Sequence, residues 1–132
     1  MLLEESPAAT ILKISTLPSQ HGTLLQEVRR AAEAQGLRGA TVTRATGVTY
    51  AALLPEAKTP EAVEPLATVC AVIMEASIRL GGSTTIPWCP LELKRRVNVW
   101  GPPRSDLELM RKMKQAFDPQ GILSPGRFAG GI

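Results

Sequence analysis

The sequence predicts an α+β, ferredoxin-like domain. A βαββαβ antiparallel sheet would carry two helices on one face, with a C-terminal helix and an irregular tail after it. Three observations point there. Two apolar helical stretches of similar length, 23–35 and 65–80, are each flanked by β-rich runs. The two middle runs are joined by Thr46-Gly47, a hairpin-type link. Gly36 and Gly81-Gly82 stand where the two helices must stop.

The first strand is TILKISTL (10–17), β-branched and apolar, ended by Pro18. Thr23 and Gln26 have capping-box spacing, and Leu24, Leu25, Val28, Ala31 and Ala32 share one helical face. His21 precedes that helix. An exposed loop position is expected of it rather than a catalytic or ligating role, since no second ligand or nucleophile accompanies it.

ATVTRA (40–45) and VTYAALLP (48–55) form the hairpin. Thr59-Pro60 opens the second helical region. Pro65 is awkward inside a helix, so the regular helix is expected to begin there with Glu64 as a cap. Leu66, Val69, Cys70, Ile73, Ser77 and Leu80 fall on one face. STTIPWC (83–89) is the fourth strand, ended by Pro87 or Pro90.

Leu91–Trp100 and a Gly101-Pro102-Pro103 break lead to a third helix. Ser105 and Glu108 are its capping box, and Leu107, Met110, Met113 and Phe117 are its apolar stripe, expected to be core. Asp118-Pro119 ends it, because a residue before proline avoids the helical region. The expected organisation is a ferredoxin-like domain over 1–93, with 94–132 packing on it as an extension and tail in one structural unit.

The 132 residues are enough to bury roughly two-thirds of the unfolded surface, so neither metal nor disulfide is needed for a core. Cys70 and Cys89 do not resemble a disulfide framework, and a reducing cytoplasm is the simpler home. MLLEESPAAT has neither the basic nor the apolar region of a signal peptide. The longest apolar run, Leu66–Met74, is too short to span a bilayer.

Charge is uneven. Residues 1–93 hold seven basic and nine acidic side chains (−2), and residues 94–132 hold eight and three (+5). The basic third is either a solvated face or a surface toward an anionic cofactor, subunit or nucleic acid.

Known chemistry is mostly excluded. One histidine and no CxxC leave no credible zinc site. There is no GxGxxG, no GxxxxGK[ST] and no GxSxG. RNA-binding sheets of this topology display aromatics on the two central strands, the first and third. Here the first has none and the third only Tyr50, so no nucleic-acid partner is expected.

The last motif is positive. Lys114, Phe117, Asp118, Pro119, Gly121, Ile122, Leu123, Ser124, Pro125, Gly126 and Arg127 fall on a pattern that resembles the ending of FAD-linked oxidases of the vanillyl-alcohol oxidase type, K-x-x-[FL]-D-P-x-G-[IL]-[LM]-N-P-G-[KR]. Upstream, VNVWGPPRSDLELMRKMK (97–114) and LKISTLPSQ (12–20) resemble a narrower group, the E subunits of bacterial glycolate oxidases. The resemblance implies a chain that is the second, cap-bearing part of such a protein, whose missing N-terminal domain holds FAD. It also implies flavin-dependent oxidation of glycolate or another 2-hydroxy acid, with partner flavoprotein and iron–sulfur subunits. A cytoplasmic site, or one peripheral to the membrane within the complex, goes with it.

Ser124, Gly126 and Arg127 would be the cofactor-proximal residues, Gly126 by close backbone approach and Arg127 by charge toward phosphate or carboxylate. No catalytic or metal residue is implied, and this chain alone is expected to bind no FAD. The resemblance has asparagine where Ser124 stands. Related dehydrogenases carry cap-domain metal histidines, and only His21 exists here. A plainer reading of the tail folds it back on its own sheet, with Arg127 solvated. The alternative function is a stand-alone ferredoxin-like regulatory or dimerisation module that binds a small ligand.

Overall fold

The computed structural model describes residues 8–56, 63–102 and 105–132. The expected Thr59-Pro60 helix opening lies outside them. The chain divides into two compact units, residues 1–101 and 102–132.

The first unit has the ferredoxin-like order. β1 (Thr10–Ser15), α1 (His21–Ala34), β2 (Arg38–Arg44), β3 (Val48–Leu54), α2 (Val63–Arg79) and β4 (Ser83–Trp88) are followed by a short α3 (Leu91–Lys94). The sheet is antiparallel throughout, in the order β2-β3-β1-β4, with the first and third strands central. Alternation sets the faces. Leu12 and Ile14 of β1 and Ala51 and Leu53 of β3 join Leu24 and Val28 of α1 and Leu66, Val69 and Ile73 of α2 in one core. Thr84 donates to Ser77, which donates to the Met74 carbonyl, each at 2.8 Å, so this buried hydroxyl pair is satisfied.

Glycine terminates both long helices. After α1, Gly36 (φ +64) lets Leu37 N donate to Ala32 O at 2.9 Å and its own amide to Glu33 O at 3.1 Å. After α2, Gly81 (φ +72) does the same, with Gly82 N to Ser77 O and Gly81 N to Ile78 O. Both are Schellman ends.

The helix starts differ from expectation. α1 begins at His21, directly after a 3-10 turn over Pro18–Gln20, and has no side-chain cap bond. Thr23 is therefore already inside the first turn, and the Thr23–Gln26 box does not form. α2 includes Val63, Glu64 and Pro65, so Glu64 is not its cap. A proline in the first turn removes an amide that lacks an intrahelical partner anyway.

The hairpin link is three residues, 45–47, with Arg44 opposite Val48 and Gly47 at φ +94. β4 runs through Pro87 to Trp88. It is an edge strand, and Pro87 lies where its register against β1 shifts, between Lys13↔Thr85 and Ile11↔Trp88. Leu93 of α3 is fully buried; beyond α3, Val97 and Val99 pack on the core, and Ile86 N donates to Val99 O at 2.8 Å.

The second unit holds α4 (Leu107–Phe117) and the tail. The N-cap is Asp106, at φ −85 and ψ −2, with no side-chain cap bond. The cap is thus Asp106 and not the expected Ser105. Asp118 (φ −138, ψ +67) leaves the helix as a pre-proline residue should. The apolar stripe is not core: Met113 and Phe117 are exposed, and no residue of α4 is buried.

A carboxylate-clamped turn as candidate site

The tail motif forms a turn organised by one side chain. Asp118 is the only buried residue among the described residues of the second unit, at 6% exposure. Its Oδ1 accepts the Ile122 amide at 3.0 Å, and its Oδ2 accepts the Leu123 amide at 2.9 Å. Lys114 Nζ donates to Oδ2 and also to the Leu123 carbonyl, each at 2.5 Å. The Asp118 amide closes the helix onto Lys114 O at 2.8 Å. The Lys114 hydrogen bond, then the Leu123 and Ile122 amides, hold the Asp118 carboxyl below the ordinary carboxylate value, against an opposing contribution from burial.

Beyond this clamp the chain reverses. Gly121 (φ +64), Ser124 (φ +48) and Gly126 (φ +69) all take the left-handed region, and Ser124 is the one non-glycine residue among those described to do so. Arg127 N donates to Ser124 O at 3.3 Å. The three residues expected to face a cofactor thus share one exposed turn. A side chain at Gly126 would meet nothing within 4 Å, so within this chain its glycine serves backbone conformation. The turn offers a hydroxyl, a free face of backbone and a guanidinium. That donor set can hydrogen-bond an anionic group.

Large apolar side chains of α4 and the tail are exposed. Leu109, Met113, Phe117, Ile122, Leu123 and Phe128 are all exposed, Phe117 at 81%.

The first unit carries other candidates. His21 is the first residue of α1, and its Nε2 is buried without a hydrogen-bond partner. Cys70 is fully buried, and its thiol is pushed up to about 12, mainly by burial. Cys89 is half-buried and raised for the same reason, with Lys94 opposing. Among the described residues no three His, Cys, Asp or Glu side chains come together as a metal site, and no helix is long and apolar enough to cross a membrane.

The open face of the sheet is more aromatic than the strand pattern implied. The register shift sets Trp88 opposite Ile11, on the face that also bears Tyr50, with the Arg44 guanidinium 5.9 Å from the Tyr50 ring centroid. No acidic residue lies in any of the four strands.

Sequence reasoning used Asp118 only as a helix end and did not foresee its clamp. The available signal was the four-residue spacing from Lys114, which places the two on one helix face.

Residues 100–128 match the family model described as FAD linked oxidases, C-terminal domain. The matched stretch contains all of α4, the clamp and the turn through Phe128. No curated protein matches the chain.

Proposed function

We propose that this chain is the C-terminal, cap-and-tail region of an FAD-linked oxidase, and that residues 102–132 dock on an FAD-binding domain supplied from outside these residues. The observation that carries the reading is the state of the tail. Its turn is hydrogen-bonded and shaped, yet Leu109, Met113 and Phe117 of α4 and Ile122 and Leu123 of the turn are exposed. Covering one Leu, Ile or Phe stabilises by about 1.5–3 kcal/mol, so a complementary surface would bind this unit strongly. The family match over 100–128 supports an FAD-binding partner as that surface.

In this reading Ser124, Gly126 and Arg127 stand at the edge of the flavin site. Arg127 brings positive charge toward a phosphate or carboxylate, and the left-handed backbone at Ser124 and Gly126 aims it. The flavin supplies the two-electron acceptor, and the chain shapes and shields the site. The substrate is glycolate or another 2-hydroxy acid, and the assembly includes flavoprotein and iron–sulfur subunits, in the cytoplasm or peripheral to the membrane within the complex. These finer assignments follow the resemblance of 97–114 and 12–20 to glycolate oxidase E subunits.

The test is reconstitution. The chain is mixed with the purified FAD-binding domain of a glycolate-oxidase-type subunit, and flavin fluorescence and glycolate-dependent flavin bleaching are followed. The reading expects both to change only when domain and chain are together. Tight FAD binding by the chain alone would place the cofactor site here and overturn it. A ligand-linked dimer with no response to the domain would favour the stand-alone module instead.

A further inference from the structure

We infer that Lys114 and Asp118 are positioning residues: they fasten the chain after α4 into one projecting turn before any partner arrives, and they act on what Ser124, Gly126 and Arg127 meet only through that turn. What the turn meets rests on the function proposed above. The clamp itself is a property of this chain.

The case begins with what else could hold the turn. A loop is ordered by buried apolar contacts, by a crosslink or metal, or by hydrogen bonds. Ile122 and Leu123 are 69% and 62% exposed, so they do not anchor it by burial. Both cysteines lie in the other unit. The described residues form no metal cluster. What remains is the set of bonds converging on Asp118. Three donors, the amides of Ile122 and Leu123 and the Lys114 ammonium, occupy both oxygens of one carboxylate. Lys114 then reaches past the carboxylate to the Leu123 carbonyl and closes the ring from the opposite side. Residues 118–123 are thereby fixed at both ends by charge-assisted bonds, which are about twice as strong as neutral ones.

The spacing explains why these residue types are needed. Lys114 is one helical turn before Asp118, so its long side chain lies over the helix end and can serve side-chain and backbone acceptors together. An acid at the helix C-terminus is ordinarily disfavoured by the helix dipole. Its presence here is accounted for by the two amides it receives from beyond the helix. Gly121, in the left-handed region, bends the chain so that the next two amides point back at the carboxylate. Asn at 118 would put a donor amide where one of the two accepting oxygens stands.

The consequence is preorganisation. A turn already closed by its own bonds does not lose backbone freedom when it docks, so affinity and aim depend on residues that touch neither cofactor nor partner.

The test uses the full chain and residue-resolved amide hydrogen exchange by NMR, on the natural sequence, Asp118→Asn, Lys114→Met and Lys114→Arg. Asp118→Asn is expected to speed exchange at Ile122 and Leu123 roughly 10-fold or more, while residues 111–117 of α4 change by less than about twofold. Lys114→Met is expected to loosen the same two amides, and Lys114→Arg to restore most of the protection. Unchanged exchange at Ile122 and Leu123 in Asp118→Asn overturns the inference. So does uniform acceleration through α4, which would make the pair a helix stabiliser rather than a clamp of the turn. A second arm titrates the FAD-binding domain. If exchange behaves as expected and Asp118→Asn docks more weakly, both ideas stand. If exchange behaves as expected and even the natural chain does not dock, the clamp stands and the proposed function fails.

Discussion

The Lys114 ammonium lies 2.5 Å from Oδ2 of Asp118, one helical turn behind it, and the same carboxylate receives the backbone amides of Ile122 and Leu123. A tail with two prolines and two glycines in eleven residues therefore has a defined shape without an apolar anchor.

That arrangement gives a pH dependence with a definite sign. The folded Asp118 carboxyl is held below its ordinary value by Lys114 first and then by the Leu123 and Ile122 amides. Its contribution to the turn is fully present above the ordinary carboxylate range and is lost as pH falls through the depressed folded value. The charged groups facing it are Lys114 and, along the same hollow, Arg111. The Ile122 and Leu123 amide proton shifts should move together with one acid midpoint below the ordinary carboxylate value. Separate midpoints, or none, would contradict the shared acceptor.

Ser124 holds φ +48, a region that asparagine and glycine occupy more readily than serine. The backbone conformation alone therefore favours glycine or asparagine at this position. Ser124→Gly and Ser124→Asn should stabilise the turn by a few tenths to about 1 kcal/mol, and Ser124→Val should loosen it. Amide exchange over 121–128 measures the order of the three.

Two glycines in the first unit should respond oppositely to a methyl group. A Cβ at Gly82 would run into the Ser15 carbonyl oxygen, which is backbone and cannot step aside. Gly82→Ala should cost about 2 kcal/mol or more in urea unfolding. A Cβ at Gly39 would meet Ala32 Cβ at 3.8 Å and Ala52 O at 3.9 Å, ordinary contacts, so Gly39→Ala should stay within about 0.5 kcal/mol of the parent.

The cysteines should differ in reactivity. Cys70 has no exposure and a thiol pushed up to about 12, whereas Cys89 is half-buried with Lys94 lowering its value against burial. Iodoacetamide near pH 8 should label Cys89 alone in the folded chain, and both in urea, as read by intact mass. Equal labelling in the folded state would contradict the packing around α2.

Much of the first unit was legible because its signals are periodic. The buried faces of α1 and α2 and the inward residues of β1 and β3 follow from spacing, and Gly36 and Gly81 stop their helices through a conformation few other residues tolerate. Helix starts were not legible. The Thr23–Gln26 and Ser105–Glu108 patterns both read as capping boxes, yet neighbouring turns begin each helix elsewhere. Trp88 reached the open face through a register shift at Pro87 that no strand pattern announces. The exposure of Phe117 was missed because an amphipathic stripe looks the same whether its cover is its own core or another chain. Asp118 read as a helix end and, with Lys114, as part of the terminal motif, since the two amides they organise are set by Gly121 and not by their own spacing.

The most direct measurement of the central claim is calorimetric titration of an FAD-loaded oxidase domain with this chain and with Phe117→Ser. Phe117 is 81% exposed, so its replacement should leave the chain's own unfolding unchanged within about 0.5 kcal/mol. The account predicts saturable binding with a negative heat-capacity change, the mark of apolar burial, and roughly 10- to 100-fold weaker binding for Phe117→Ser. No binding by the parent chain, or equal binding by both, would contradict it.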